Sequence, residues 1–275
     1  MRIEKAYKEI FIFVAGTTPQ IITETICALS QKTIPIYPDE IFIITTLTGK
    51  RFIEKQLLDS GILSEMMLEL GLPQIPITEG SFVVPKDANN FEIDDIRSEE
   101  ENELMGNLIT SLVRDKSNDP SSRLHCSIAG GRKTMSFYLG AALQLFGRPQ
   151  DKLYHVLVTP EFELNPSFFY KPKKNRIIQG RGIDGKPKQL NTKNANIELA
   201  ELPFIRLSGK ISFQGKDFRE LVLEGQRTID LAMVQPELVV NLLERYIPVS
   251  YTHLRAHETP EHLVCRLLLE KKKKH

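Results

Sequence analysis

The chain has 275 residues, of which 41% are hydrophobic, and its formal net charge at pH 7 is only +1. This length and composition suffice for one large domain with a buried core, alone or with a short extension. The balanced charge excludes a general nucleic-acid-binding surface, so no binding to genomic DNA is expected and any anion site must be local.

The first part of the chain alternates buried strands with helices. Two continuous apolar runs predict strands buried on both faces, and three segments with helical periodicity follow them. In chain order, the predictions are a strand at 9–15, a helix at 20–29, a strand at 40–46, and helices at 49–58 and 63–70. At the first strand-to-helix turn, Thr18 suits the N-cap position and Pro19 the first helical position.

The rest of the chain continues this alternation. Ser98 and Glu101 form a capping-box pattern, which predicts the start of a long helix. In chain order, the predictions are a proline-broken strand at 73–85, a polar loop at 86–95, a helix from Ser98 to about Arg114, a strand at 124–129, a helix at 132–146, a strand at 153–159, short strands at 168–170 and 197–205 around a loop or flap at 171–194, and helices at 218–231 and 237–246. This order predicts an α/β fold: a Rossmann-like, mostly parallel and doubly wound sheet with a short C-terminal helical extension.

Two of the predicted strand-to-helix turns carry unusual chemistry. The first glycine loop is Gly16-Thr17-Thr18-Pro19-Gln20, and the second glycine loop is Gly130-Gly131-Arg132-Lys133-Thr134. Both offer small residues, hydroxyl groups and backbone N–H groups at a helix N-terminus, where geometry and the helix dipole favour a phosphate. Arg132 and Lys133 add positive charge. Ligands of parallel α/β sheets bind outside the carboxyl ends of the strands, so we expect both loops at one edge of the sheet.

Other phosphate-binding motifs do not match these loops. A P-loop needs G-x-x-x-x-G-K-[ST], and the second glycine loop lacks the first glycine at that spacing. A dinucleotide fingerprint needs G-x-G-x-x-G, which the first glycine loop does not provide. An ordinary nucleotide-binding enzyme is therefore disfavoured, while a simple tight turn remains an alternative for each loop taken alone.

The two glycine loops resemble those of a known family. The first loop and the stretch Ser127-Ile128-Ala129-Gly130-Gly131-Arg132-Lys133-Thr134-Met135 are similar to the signature loops of CARF domains, the CRISPR-associated Rossmann-fold sensors. Further stretches narrow the resemblance to the NE-type, ring-nuclease-like proteins of type III CRISPR systems, over about Lys8 to Leu207. These stretches are Asp95-Ile96-Arg97-Ser98, Phe146-Gly147-Arg148, His155-Val156-Leu157-Val158, Phe162-Glu163 and Phe168-Phe169-Tyr170.

The resemblance implies a function in antiviral defence. Type III CRISPR complexes make cyclic oligoadenylates as alarm molecules, and CARF domains bind the ring across the two-fold axis of a homodimer, which suits a ring of four adenylates. Ring nucleases then cleave the ring by attack of a 2′-hydroxyl on the adjacent phosphate, which needs no metal. The products are linear and end in a 2′,3′-cyclic phosphate, and their formation switches off the signal.

The resemblance also implies roles for individual residues. Lys133 would stabilise charge on the attacked phosphate, and Thr18 (or Thr17) would contact the attacking sugar or the phosphate, so Lys133 and Thr18 are the candidate catalytic residues. Asp95 and Arg97 would lie in a loop that covers the ligand, but they equally suit a cap of the following helix. The full set of candidate ligand-binding residues is Gly16, Thr17, Gln20, Gly130, Gly131, Arg132, Thr134, Asp95 and Arg97.

Two alternatives share the CARF resemblance. The first is a sensor with the same ligand but no cleavage, because binding and cleavage would use the same loops. The second is an effector in which the CARF domain controls a C-terminal HEPN ribonuclease, whose R-x(4–6)-H motif lies on a helix. Arg148 with His155 and Arg255 with His262 have this spacing, but the first pair runs from a loop into a strand. His155, like His125, is interpreted as a structural strand residue.

The C-terminal residues are interpreted as foreign to the protein. The stretch from Ser250 to Thr259, continuing to the lysine run before His275, resembles a peptide translated from sequencing-adapter DNA. Without its six basic and three acidic residues, the net charge of +1 would become −2. It also contains a zinc-like set of side chains, namely His253, His257, His262 and Cys265. The predicted domains are a CARF domain at 1–207, a helical extension at 208–249 and a non-native tail at 250–275.

The sequence shows no targeting or membrane segment. Its start lacks a signal-peptide layout, and no apolar run is long enough to span a bilayer. Three cysteines lack the spacing of a disulfide framework. We therefore predict a cytoplasmic protein without a metal or cofactor.

Overall fold

The computed structural model describes residues 6–74, 77–163, 165–181 and 186–234. The chain divides into two compact units, the first ending at Arg206 and the second beginning at Leu207. The predicted helix at 237–246 and the predicted tail, with Arg255, His262 and the zinc-like set, lie outside the described residues. None of the described helices is both long and apolar enough to cross a membrane.

Strands and helices alternate through most of the chain. The elements are β1 Lys8–Val14, α1 Gln20–Ser30, β2 Glu40–Ile44, α2 Leu47–Ile53, a π-helical turn Glu54–Leu58, α3 Ile62–Leu70, a 3-10 turn Glu79–Ser81, β3 Phe82–Val83, α4 Glu99–Ser117, β4 Ser122–Ser127, α5 Lys133–Phe146, β5 Lys152–Val158, β6 Ile177–Arg181, β7 Pro187–Asn191, a 3-10 turn Thr192–Asn194, β8 Ile197–Leu202 and α6 Phe218–Val234. The predicted capping box is present, since Glu101 N donates to Ser98 Oγ at 3.1 Å and Ser98 N to Glu101 Oε2 at 2.9 Å.

The main sheet has six strands in the order β3-β2-β1-β4-β5-β8. All neighbouring pairs are parallel except β5 and the edge strand β8. From β1 the chain winds to β2 and β3 on one side, and then to β4 and β5 on the other. The order of the strands therefore reverses between β1 and β4, which makes this boundary the topological switch point. The predicted Rossmann-like, mostly parallel sheet is confirmed.

The two faces of β1 explain why its sequence is a continuous apolar run. Phe11 and Phe13 belong to the core cluster with side chains from α1 and α3, whereas Ile12 and Val14 belong to the cluster with side chains from α4 and α5. Helices thus cover both faces of the sheet, so both sets of side chains must be apolar.

Two predictions in the segment after β5 are wrong. Residues 168–170 do not form a strand, although their aromatic side chains are buried. Residues 171–194, predicted as a loop or flap, contain the antiparallel hairpin β6–β7 and a 3-10 turn. Leu190 is the buried side chain of this mostly exposed hairpin, so the hairpin lacks the apolar alternation by which strands are recognised.

A buried polar network joins the amino ends of β1 and β4. His125, only 2% exposed, lies with Nε2 2.7 Å from Glu9 Oε2 and Nδ1 3.3 Å from the Tyr154 hydroxyl. Arg123 Nε donates to the same carboxylate at 2.9 Å. Because the network lies at the edge of the sheet opposite the glycine loops, His125 is a structural residue, as predicted.

A second network fixes the amino end of β5. The Asp151 carboxylate is fully buried and accepts hydrogen bonds from Leu124 N at 2.8 Å and from Arg148 N and Nε at 2.8 and 2.9 Å. Arg206 donates to the backbone oxygens of Arg148 and Asp151. Arg148 therefore has a structural role between α5 and β5, and with His155 inside β5 this pair does not form the helical R-x(4–6)-H motif.

The second unit begins with a short irregular segment that leads into α6. Glu224 of α6 accepts hydrogen bonds from the backbone N–H groups of Gln214 and Gly215, at 2.9 and 3.1 Å. The helix predicted at 218–231 is present, and several apolar side chains on it are exposed: Val222, Leu223, Ile229 and Leu231.

Candidate functional site at the sheet switch point

The structure brings the two glycine loops together at the switch point. The loops follow β1 and β4, which are neighbouring parallel strands, so both leave the same edge of the sheet. Their backbones are in close contact, since a Cβ atom placed on Gly16 would lie 3.5 Å from the Cα atom of Gly131.

The second loop requires its glycines for packing. A Cβ atom on Gly130 would lie 2.9 Å from the backbone oxygen of Val14 and 3.1 Å from Cγ1 of Ile21. Gly131 has a φ of +72°, a left-handed conformation that favours glycine. The tight-turn interpretation is therefore correct for these glycines, and the turn also places the N-terminus of α5 beside the first loop.

Helices that begin at the two loops lack side-chain caps, unlike α2 and α4. Thr46 Oγ1 and Ser98 Oγ cap those two helices. The prediction that Thr18 caps α1 is wrong, because Pro19 holds the N-cap position and no side-chain hydrogen bond caps this end. Arg132 precedes α5 and its side chain accepts no hydrogen bond from the helix, although its own backbone N–H donates to Met135 Sδ at 3.3 Å. Ile22 N and Met135 N donate to the backbone oxygens of Pro19 and Arg132, so the first two N–H groups of each helix remain suited to an external acceptor.

The third helix that begins at this edge is closed by the chain itself. Leu47 N and Thr48 N of α2 donate to the backbone oxygens of Ile93 and Asp94, at 2.9 and 3.2 Å. Thr48 Oγ1 also donates to Asp94 Oδ1 at 2.8 Å. The segment between β3 and α4 therefore occupies the N-terminus of α2, which leaves the ends of α1 and α5 as the candidate anion-binding positions.

The two cations of the second loop differ in their partners. Arg132 forms a two-pronged ion pair with Asp95, with Nε 3.0 Å from Oδ1. Hydrogen bonds from the Arg132 guanidinium, then from Ile96 N and the Arg97 guanidinium, lower the pKa of Asp95 to about 2. Lys133 is exposed and forms no ion pair with any residue that the structure describes. Lys133 is therefore the cation available to an anion at the start of α5.

The first loop also carries polar side chains. Thr17 is exposed and Thr18 half-buried. Gln20 is only 6% exposed, and its buried Oε1 has no hydrogen-bond partner among the described residues. A buried polar atom without a partner costs free energy, so the Gln20 amide is suited to a ligand contact. Thr134 is exposed at the second loop.

Thr45 and Gly49 are part of this neighbourhood and were not predicted. A Cβ atom on Gly49 would meet the Thr45 hydroxyl and would lie 3.5 Å from the Cα atom of Gly16. Thr45 Oγ1 is buried and has no partner within the described part of the chain. Both residues follow β2, the strand next to β1. Polar residues at the carboxyl ends of parallel strands gather at ligand sites, so this position in the sequence could have identified them as candidate site residues.

Glu24 lies one helical turn after Gln20 and is 4% exposed. Burial, with a smaller contribution from the carboxylate of Glu163, raises the pKa of Glu24 to about 8 from its ordinary value of 4.5. The folded protein thus keeps a proton on Glu24 at neutral pH.

We expect Glu24→Gln to stabilise the protein at pH 8 and to have little effect at pH 4. The folded pKa is raised, so the unfolded chain loses this proton at lower pH than the folded chain, and wild-type stability falls between about pH 4.5 and 8. Each pKa unit corresponds to about 1.4 kcal/mol, so a gain of about 2 kcal/mol or more is expected at pH 8.

Urea unfolding of both proteins across this pH range measures the effect. Glu100→Gln, which changes an exposed carboxylate of α4, is the control and should leave the pH dependence unchanged. Parallel pH profiles for wild type and Glu24→Gln would contradict the prediction.

The fold and the paired glycine loops define a Rossmann-like α/β protein with two uncapped helix N-termini at its switch point. A family model described as CRISPR-associated protein NE0113 matches residues 18–230, which is more than half of the chain. The chain therefore belongs to the CRISPR-associated protein NE0113 family. The predicted resemblance to an NE-type CRISPR-associated family is confirmed, and the match extends beyond Leu207 into α6. A search of curated proteins gave no match.

Proposed function

We propose that the protein binds a cyclic oligoadenylate, with cyclic tetra-adenylate as the first candidate, and cleaves it at the switch point. The observation that carries this proposal is the meeting of two helix N-termini without a side-chain cap beside Lys133, which has no ion-pair partner among the described residues, in a member of a CRISPR-associated family. Helix N-termini and a free cation suit the phosphates of such a ring.

The proposed reaction needs positioning and charge stabilisation. A 2′-hydroxyl attacks the adjacent phosphorus atom, a bond from O2′ to phosphorus forms, and the bond from phosphorus to O5′ breaks. The 2′-hydroxyl loses its proton and the O5′ leaving group gains one. Lys133 would stabilise the negative charge that develops on the phosphate, and Thr18 or Thr17 would hold the sugar in line.

The other residues of the loops would bind the ring rather than react with it. The backbone of Gly16, Gly130 and Gly131 lets a phosphate approach, and Thr134 adds a hydroxyl group. The Gln20 amide would contact the ring through its unpartnered oxygen.

The Asp95 carboxylate would repel a phosphate, so Asp95 would not contact the ring. It would act indirectly, by holding the guanidinium of Arg132 at the edge of the second loop. Arg97 also contacts Asp95, so it too would act indirectly rather than by contacting the ring. In a homodimer, two such sites related by a two-fold axis would face a four-membered ring.

The full chain should convert radiolabelled cyclic tetra-adenylate, in buffer with EDTA, into linear products that end in a 2′,3′-cyclic phosphate. Chromatography against synthetic standards identifies the products, and circular dichroism of the same sample verifies that the chain is folded. Tight binding without cleavage would support a sensor instead. A folded chain that does not bind the ring would rule out the proposal.

A further inference from the structure

The charge of the chain is distributed unevenly. Residues 171–194, here called the basic arm, contain eight of the 36 basic residues and one of the 35 acidic residues. The arm therefore carries a formal charge of +7, and the rest of the chain carries −6. Blocks of like charge repel one another and are common in segments that bind a partner of opposite charge. The balanced total thus conceals one strongly positive segment.

Much of this charge is not neutralised within the described part of the chain. Two cations of the arm are paired, Arg176 with Glu65 and Glu69 at 2.8 and 2.9 Å, and Lys188 with Glu161 at 2.6 Å. All but one of the cations that form no ion pair with any residue that the structure describes are exposed, and the exception is half-buried. These cations are Lys171 (half-buried), Lys173, Lys174, Arg181 and Lys193. The arm therefore offers several accessible cations to a polyanion.

The fold holds these cations in place. β6 and β7 form an antiparallel hairpin, and Asn165 Nδ2, after β5, donates to Gln179 O in β6 at 3.0 Å. At the base of the arm, the backbone N–H of Lys173 donates to Glu69 Oε1 of α3 at 2.6 Å. Because these contacts fix the backbone that carries the cations, less conformational entropy is lost when a partner binds.

A cavity of about 340 Å³ lies beside the base of the arm. Lys171 and Lys173 line it from the arm, Gln31 from the end of α1, Leu70 from the end of α3, and Tyr37 from the segment before β2. Cavities of about 300 Å³ or more are typical of small-molecule sites. A lining that combines cations with an aromatic ring suits a ligand with an anionic and a flat part, such as one nucleotide of a strand.

This cavity is separate from the glycine loops. α1 begins at the first glycine loop and ends at Ser30, which also lines the cavity. The helix has 11 residues, which correspond to a length of about 16 Å. The cavity therefore lies toward the opposite edge of the sheet, and a ligand in it would not occupy the proposed ring site.

We propose that the basic arm and the adjoining cavity bind a single-stranded nucleic acid. Backbone phosphates lie along the cations of the arm, and an unpaired base enters the cavity beside Tyr37. The cavity favours a single strand over a duplex, because the bases of a duplex are paired and stacked and cannot enter it. An acidic peptide matches the charge but has no flat group for the cavity. This role goes beyond the proposed function, since it uses a surface that the ring does not need.

Fluorescence anisotropy of a labelled single-stranded RNA, titrated with the full chain at several salt concentrations, tests the role of the arm. We expect Lys174→Gln/Arg181→Gln to bind about ten-fold more weakly than wild type. The slope of log K against log salt concentration should shrink by about 1.4, or about 0.7 for each lost phosphate contact. Arg51→Gln/Lys55→Gln removes two exposed cations from another part of the chain and should bind like wild type.

Tyr37→Leu tests the role of the cavity. We expect it to weaken RNA binding about five-fold or more, the effect of losing one stacked base, while Tyr37→Phe stays within about two-fold of wild type. Phe91→Leu is the control, because it changes an aromatic residue that is 72% exposed elsewhere. Unlabelled duplex RNA should compete at least about ten-fold more weakly than the same single strand. Equal competition by the duplex would overturn the base-binding role.

The remaining outcomes separate this inference from the proposed function. A folded wild-type chain that does not bind the RNA at about 50 mM salt, or an arm variant that binds as tightly as wild type, would overturn the inference. Tighter binding to phosphatidylserine vesicles than to the RNA would assign the arm to a lipid surface and overturn it as well. The arm variant should cleave cyclic tetra-adenylate at the wild-type rate. A chain that binds the RNA but not the ring would overturn the proposed function alone.

Discussion

Lys133→Ala is expected to reduce the rate of ring cleavage by about 100-fold or more, the typical cost of removing one group that stabilises the transition-state charge. Lys133 is exposed at the start of α5 and has no ion-pair partner among the described residues, so its charge is available to the attacked phosphate. Ring binding should weaken less than cleavage, because the uncapped helix N-termini remain. Single-turnover cleavage and equilibrium binding of cyclic tetra-adenylate measure the two effects separately.

Two further variants serve as comparisons for this experiment. Lys174→Ala removes an equally exposed lysine from the segment before β6 and should leave cleavage unchanged. Arg132→Gln should have a smaller effect than Lys133→Ala, because the guanidinium of Arg132 is already engaged by Asp95. Cleavage by Lys133→Ala at the wild-type rate, with wild type active, would remove Lys133 from the mechanism.

Asp151→Ala is expected to lower the free energy of unfolding by about 3–5 kcal/mol, the usual cost of breaking a buried ion pair. Its fully buried carboxylate neutralises Arg148 and accepts a hydrogen bond from Leu124 N of β4. Alanine would leave the mostly buried guanidinium of Arg148 without its counter-charge, although its hydrogen bonds to Asp119 O and Ser122 Oγ remain, and would leave the backbone N–H of Leu124 without its acceptor. Urea unfolding at pH 7, followed by circular dichroism, measures the change.

The position of Asp151 makes this prediction specific to stability. It lies at the amino edge of the sheet, opposite the glycine loops, so the activity per folded molecule should not change. Asp59→Ala removes an exposed carboxylate and should change the unfolding free energy by no more than about 0.5 kcal/mol. A loss below about 1 kcal/mol for Asp151→Ala would show that the network contributes less than its burial implies.

Local patterns were sufficient to predict most of the elements. The apolar runs at β1 and β2, the helical periods of α1 and α5, and the capping box of α4 all depend on residues within one or two turns of each other. The hairpin β6–β7 was missed for the same reason, because its strands are exposed and carry almost no apolar alternation. The aromatic run at 168–170 was misread as a strand, since burial of aromatic side chains does not require regular backbone.

The sequence by itself determined the fold class, the two glycine loops and the resemblance to a CRISPR-associated family, because each is encoded in a short continuous stretch. Only the tertiary structure decided which charged groups and helix N-termini near the loops remain available to a ligand. The ion pair of Arg132 with Asp95 joins residues 37 positions apart, and the chain before α4 closes the N-terminus of α2. Such contacts depend on how distant segments pack, so no local pattern reveals that Arg132 is engaged by Asp95 while Lys133 has no ion-pair partner among the described residues.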